Sequence, residues 1–307
     1  MSATASSALQ GPARLVVVGS AIVDVVLDVP ELPQPGGDVI ATAVAREPGG
    51  AFNVASAAAR LGLPTVYAGP HGTGPHGDLL RAALAVEDVA VASLPASDDT
   101  GYCITLVEAS GERTFITVGG ADMRMSAEHL ATVTFATGDA AYVTGYDLGY
   151  DVSGPALAKA VPSWPTEVTV VVDPGPLVAE IPWSHWQRVA PHIDVLSWSA
   201  REAVLLPQLR SLLRRDAVVV RRTGRDGAVL ELPGQPPLTV PGMPVEPVDT
   251  NGAGDVHVGA MLAARHAGLG WHEAVAEANA AAALSTLVRG GAGGPTRTEL
   301  LAWQART

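Results

Sequence analysis

Residues 245–264 read Val245-Glu246-Pro247-Val248-Asp249-Thr250-Asn251-Gly252-Ala253-Gly254-Asp255-Val256-His257-Val258-Gly259-Ala260-Met261-Leu262-Ala263-Ala264. Val245 and Val248 lead through a Gly-containing turn into a helix-compatible run that begins at Asp255. Gly252 and Gly254 permit backbone torsions and close approaches closed to other residues, so successive N–H groups beside a helix N-terminus can point at phosphate oxygens. Asp255 brings a carboxylate into that anion-binding turn. A negative group beside bound phosphate is repulsive, and its presence makes sense where it faces an incoming hydroxyl and accepts its proton during transfer. For an isolated Gly-Ala-Gly-Asp, a capping aspartate with two turn glycines is the commoner arrangement. The rest of the chain has to decide between the two.

Outward from this turn, helix-like and strand-like segments alternate. Leu15-Val16-Val17-Val18-Gly19 is a short apolar run of the kind that forms a buried strand. Residues 53–61 read as helix, 65–68 as strand and 78–85 as helix, with Gly and Pro between them. Apolar runs at 140–143, 168–173, 195–197 and 217–220 continue the scheme, which argues for a parallel sheet with ligands at the carboxyl ends of its strands. Two regions break the rhythm. Residues 24–47 and 100–118 alternate with a β-type period around Pro35-Gly36-Gly37-Asp38 and Ser110-Gly111-Glu112, as expected of a small sheet covering the site. Residues 1–13 are small and polar and read as a flexible tail, leaving one globular unit over 14–303 with the two lid segments inserted.

Bulk composition narrows the function. The 307 residues are 48% apolar, ample for a large core, and 31 acidic against 19 basic residues give a net charge of -12. That charge repels a polyanionic duplex or an anionic bilayer, so nucleic acid and membrane are not expected partners. No apolar run approaches the roughly 20 residues that a spanning helix needs. Cys103 stands alone and the first residues lack the charged start and apolar stretch of a secretory signal, so the cytoplasm is the expected compartment. Lys159 is the only lysine, so a Gly-x-x-x-x-Gly-Lys-Ser/Thr loop and a lysine-dependent protein-kinase site are both absent. Phosphate must be held by amides, metal and arginine. Gly72-Thr73-Gly74-Pro75-His76-Gly77 fits Gly-x-Gly-x-x-Gly, but Pro75 removes an N–H from any phosphate cradle and the turn does not follow the first strand. His-Glu-x-x-His and Gly-x-Ser-x-Gly patterns are also missing, which removes zinc and serine hydrolases.

Asp249-Thr250-Asn251-Gly252-Ala253-Gly254-Asp255 closely resembles the second signature of the ribokinase-like (PfkB) kinases, and Gly49-Gly50-Ala51-Phe52-Asn53 resembles the first. Gly19-Ser20 with Asp24, the mid-chain Asp173-Pro174 and Thr223-Gly224-Arg225-Asp226-Gly227 fall in the matching order. The resemblance implies an α/β fold: a central, mostly parallel sheet with helices on both faces and a small β-sheet lid. It further implies an ATP-dependent carbohydrate kinase in which Asp255 is the general base and the amides of Gly252, Ala253 and Gly254 form the anion hole. Asp24, Gly49, Gly50 and Asn53 would then bind the acceptor, and Thr223, Gly224, Gly227 and Asn279 the nucleotide. Mg2+ would bridge the phosphates with Glu202 acting through water, and a monovalent cation such as K+ would lie on carbonyls of Asp249, Thr250 and the 289–294 loop. Family habit and the exposed edges of lid strands add a homodimer joined through the lid.

Three departures qualify the match. Ser199-Ala200-Arg201-Glu202 has serine where the family's Asn-x-x-Glu has asparagine, Val256-His257 replaces a frequent Ala-Phe pair, and Gly74 stands where an aspartate is frequent. Glu202 on a helix surface is the plain alternative to a metal role, and His257 is read as packed in or beside the helix. For the acceptor, Arg46 is the one fixed cation between Asp24 and Asn53 and Arg113 the main one in the lid, which favours a neutral molecule. Phe52, Tyr102 and Phe115 suit a sugar face, a nucleobase or plain packing. A small neutral sugar ranks first and a nucleoside second. A non-catalytic sugar-binding regulator stands as the alternative from another class.

Overall fold

In the first strand of the sheet, Leu15 and Val17 join one buried apolar cluster, and Val16, with Val18 just after the strand, joins another, so the strand is covered on both faces. The computed structural model describes residues 11–306, and the expected tail lies outside it as far as residue 10. Residues 12 and 13 are held: Ala13 N–H donates to the Gly138 carbonyl at 2.7 Å, and His266 Nδ1 lies 2.7 Å from the Pro12 carbonyl.

Along the chain, β1 (Arg14–Val17) opens the main sheet, and β2 (Ala21–Val29) and β3 (Ala43–Gly50) turn away from it. Next come α1 (Ala51–Arg60), β4 (Thr65–Tyr67), α2 (Pro75–Val86) and β5 (Ala90–Val91). Strands β6 (Tyr102–Glu108) and β7 (Arg113–Val118) return to the smaller sheet, and α3 (Ala127–Thr132) leads back. The second half runs through β8 (Asp139–Thr144), α4 (Gly145–Gly149), α5 (Ser153–Ala160), β9 (Thr169–Asp173), α6 (Trp183–Val189), β10 (Val195–Ser199) and α7 (Ala200–Leu205). It closes with β11 (Val218–Arg222), β12 (Gly227–Glu231), β13 (Leu238–Pro241), α8 (Ala253–His266), α9 (Trp271–Ser285) and α10 (Arg297–Gln304).

The main sheet has nine strands in the order β13-β12-β11-β10-β9-β8-β1-β4-β5. Every pair from β11 to β5 is parallel, and β12 and β13 join antiparallel at one edge. Helices α1, α8 and α9 cover one face, while α5 and α6 lie on the other with Leu157 and Trp186 in its core. Because β1 pairs with β4 on one side and β8 on the other, the chain reverses its winding there and a crevice opens beyond the strand ends. The two irregular regions form the small sheet, in the order β3-β2-β6-β7. Its strands reach a few residues beyond the expected segment, to Ala21 and to Gly50, since β2 starts directly after the turn that ends β1. Pro75 occupies the first turn of α2, so the Gly-x-Gly-x-x-Gly match is a loop running into a helix. Among the described residues, no helix is long and apolar enough to cross a membrane.

Candidate active site

Asp255 and Asn53 each occupy the third position of a helix, α8 and α1 respectively. The two helices cross closely at Gly259, where an added Cβ would lie 2.7 Å from the Val54 carbonyl oxygen. This packing brings the residues together: Asn53 Nδ2 donates to Asp255 Oδ2 at 3.0 Å. Asn53 was expected to grip the acceptor; its amide is hydrogen-bonded to the carboxylate expected to be the base. Its Oδ1, buried and without a partner among the described residues, keeps an acceptor position open. Burial pushes the Asp255 carboxyl up to about 7; the Asn53 bond and the Arg222 cation oppose this, and the Asp173 and Asp24 carboxylates add to it. A group poised there suits proton transfer near neutrality. Only the ionised form accepts a proton, so kcat/KM should rise through about pH 7 and fall about tenfold per unit well below it. Asn53→Ala removes a bond that favours the carboxylate and should move this acidic limb to higher pH. A profile from pH 5 to 9 reads both, and a flat line across that range would contradict them.

Under the small sheet, Asp24 and Glu47 face each other across the β2–β3 pair. Burial, reinforced by Glu47, pushes Asp24 up to about 6, and burial with the Asp249 charge raises Glu47. The Asp24 carboxylate lies against Gly49, where a Cβ would stand 2.3 Å from Oδ2, so only glycine lets the acid and backbone approach in this way. Gly50, paired with Ala21, ends β3 and starts α1. A cleft of about 530 Å³ opens beneath the lid, lined by Asp24, Glu47, Arg113, Asp249, Asn251 and Gly291 among others. Arg113 is not free in it. Its guanidinium pairs with Asp249 Oδ1 at 2.7 Å. The same carboxylate accepts from Asn251 N–H at 2.7 Å and Gly290 N–H at 3.2 Å, joining lid, turn and the 289–294 loop. The outer Arg289–Asp28 pair, 2.9 Å apart, is well exposed and adds little.

The turn between the clefts has the geometry of an anion site. Gly252 caps α8 at φ 71°, and a Cβ there would fall 2.0 Å from the Gly291 carbonyl oxygen. First-turn N–H groups of a helix have no partner within it. That of Ala253 leans on the Thr250 carbonyl at 3.4 Å, a weak contact a phosphate oxygen can displace.

The second cleft, about 470 Å³, is lined by Ser199, Arg222, Gly224, Gly227, Gly254 and Asn279 among others. Thr223 closes the β11–β12 hairpin by donating its N–H to the Gly227 carbonyl at 2.8 Å, and it is not one of the lining residues. Asn279 borders the cleft, but its side chain is committed: Nδ2 donates to the Val240 and Pro241 carbonyls at 3.1 and 3.0 Å. Its Oδ1 must therefore accept from His257 Nε2, 3.1 Å away. Burial, with the Arg222 cation, drives His257 down to about 3, so the ring is neutral and packed, as read.

Glu202 is not a surface residue. It sits in the first turn of α7, where Ser199 Oγ accepts from its N–H at 3.2 Å and its Oε2 accepts from Ser199 N–H at 2.7 Å. This capping box explains the serine: at the N-cap it satisfies a helix donor as asparagine would. The Glu202 carboxylate also lies 3.8 Å from Arg222, whose Nη1 donates to Asp173 Oδ2 at 2.8 Å and Ser197 Oγ at 2.6 Å. No cluster of three or more His, Cys, Asp or Glu among the described residues is placed to hold a metal by itself. Arg222 and Glu47 were missed in the sequence. The available signals were a cation at the end of an apolar strand in a chain with one lysine, and an acid two residues before Gly49.

Residues 12–298 match the family described as pfkB family carbohydrate kinase. The Escherichia coli K12 protein named uncharacterized sugar kinase YegV is 32% identical over 300 residues, covering 94% of this chain and 92% of that protein. Among solved structures, Arabidopsis thaliana ribokinase complexed with ribose and ATP is 26% identical with a TM-score of 0.76, covering 95% of this chain and 98% of that one. The apo form of a putative ribokinase II from E. coli shares the fold at a TM-score of 0.81 and 23% identity, covering 96% of this chain and 100% of that one.

Proposed function

The chain belongs to the pfkB family of carbohydrate kinases, and from that premise we propose that it transfers the γ-phosphoryl group of ATP to a hydroxyl of a small neutral sugar. One observation carries the reading: the 249–254 turn borders both clefts, with Asp249 and Asn251 facing the one under the lid and Thr250, Ala253 and Gly254 the other. Acceptor and nucleotide then meet across a single turn, with Asp255 at its end. The acceptor oxygen attacks the γ-phosphorus as its proton passes to Asp255, and the bond from that phosphorus to the β,γ-bridging oxygen breaks, its electron pair leaving with ADP. Amides of Gly252, Ala253 and Gly254 meet the charge on the transferred group. Asp24 and Asn53 orient the hydroxyls, and Gly49 and Gly50 give the sugar backbone to lie against. Gly224 and Gly227 border the nucleotide, while Thr223 and Asn279 shape its cleft through the hairpin and β13. Glu202 would hold a phosphate-bound Mg2+ through water, and the carbonyls of Asp249, Thr250 and the 289–294 loop would hold a monovalent cation such as K+; either ion would offset phosphate charge.

A neutral acceptor follows from charge. Of the two arginines lining this cleft, Arg113 is paired with Asp249 and Arg289 with Asp28, while Asp24 and Glu47 stand in it with no ion-pair partner among the described residues, so a sugar phosphate would be disfavoured. The test is ADP release across a panel of sugars, sugar phosphates and nucleosides. Neutral sugars should lead; turnover confined to nucleosides or sugar phosphates would refute the substrate class. Tight sugar binding without any ADP release would mark a regulator instead.

The proposed enzyme is a cytoplasmic homodimer. Strands β3 and β7 are the open edges of the lid, and Val44, Phe115 and Ile116 are exposed there. Its solution mass should be twice 31.4 kDa; a monomeric mass at working concentration would count against it.

A further inference from the structure

Arg222 ends β11 at the carboxyl edge of the main sheet, and its side chain is only 13% exposed. An arginine buried for stability alone commonly places its two-nitrogen edge on a carboxylate. Here the arrangement differs. Both hydrogens of Nη1 are used, one on Asp173 Oδ2 and one on Ser197 Oγ, at 2.8 and 2.6 Å. Nη2 lies 3.8 Å from Glu202, too far for a hydrogen bond, and the Nε–Nη2 edge has no acceptor among the described residues. That edge faces the anion turn: a Cβ on Gly254 would lie 3.5 Å from Nη2 and 3.6 Å from Nε. Arg222 also lines the nucleotide cleft. The Asp173 and Glu202 carboxylates stand beside its guanidinium, at 2.8 and 3.8 Å, and balance the cation.

We propose that the free Nε–Nη2 edge of Arg222 takes two oxygens of the β- and γ-phosphates of ATP, making Arg222 a catalytic cation for the transfer, with Asp173, Ser197 and Glu202 as its positioning residues. The inference rests on the kinase reading and deepens it. A planar fork matches two phosphate oxygens at once, and a cation beside Gly254 stands where charge spreads over the transferred group.

The test compares Arg222→Met and Arg222→Lys with the wild type in titrations with AMP, ADP and ATP, alongside turnover. The Met variant should bind ADP and ATP at least about tenfold more weakly, leave the AMP Kd within about twofold, and lose about 10²-fold in kcat. Lys restores the charge without the fork, so part of the ATP affinity should return while kcat stays at least about tenfold down. Should Arg222→Met fail to fold, with Asp173 and Glu202 left facing each other, Arg222→Lys decides alone. Equal weakening of all three nucleotides, or wild-type ATP affinity and kcat in the Lys variant, overturns the inference while the kinase reading stands. A wild-type protein that takes up none of the three nucleotides overturns both.

Discussion

Asp255→Asn should lower kcat by about 10²- to 10⁴-fold and leave the fold intact. The two side chains have the same shape, and the substituted amide still offers an oxygen to Asn53 Nδ2, so the bond between α1 and α8 survives. What disappears is the carboxylate proposed to take the acceptor's proton. Stability should not fall, and the sign follows from the shift. The folded carboxyl titrates at about 7 against an ordinary 3.8, so its contribution to stability is fully present below the ordinary value and is lost as pH rises through 7. Removing the charge therefore leaves the variant at least as stable as the wild type at pH 8. Thermal unfolding at that pH, with single-turnover rates on an identified acceptor, gives both numbers. Full kcat in the variant would mean that another group takes the proton.

Gly252→Val should be lost in both stability and activity. At φ 71° a branched side chain costs about 1–3 kcal/mol from backbone strain alone. Its Cβ would also overlap the Gly291 carbonyl oxygen at 2.0 Å, an atom of backbone that cannot rotate away. Either the turn unwinds, scattering the amides of the anion hole, or the 289–294 loop is pushed off Asp249. Both routes lead to a loss of about 10²-fold or more in kcat and a lowered unfolding midpoint. Gly254→Ala is the useful contrast, since its nearest neighbours around an added Cβ lie at an ordinary 3.5 Å, all on Arg222. That variant should fold normally and register its effect on phosphate. A Gly252→Val protein with wild-type midpoint and turnover would show that the left-handed turn is dispensable.

Much of the architecture was legible because it rests on local rules. Apolar runs marked β1, β8, β9, β10 and β11 to within two residues, since strands buried on both faces need continuous Val and Leu. Strand β13, Leu-Thr-Val-Pro at the sheet edge, carried no such run and was not anticipated. The Ser199-x-x-Glu202 cap is itself a sequence signature, but family expectation drew attention to what serine lacked rather than to what it does. The Asn53–Asp255 bond, the Arg113–Asp249 pair and the free edge of Arg222 left no trace in spacing. Each is made by elements far apart in the chain, and only tertiary packing decides which donor meets which acceptor.

The Asn53–Asp255 bond spans 202 residues of sequence, which sets when during folding a working site can exist. Helix α1 leaves the ribosome long before α8, and its Asn53 must wait for nearly the whole remaining chain before it has anything to hold. Closing so long a loop costs entropy that local contacts cannot offset beforehand. No truncated product ending before α8 can carry Asp255, the proposed base, at all. Recovered activity after dilution from denaturant should thus report the docking of α1 on α8 rather than the formation of either helix alone.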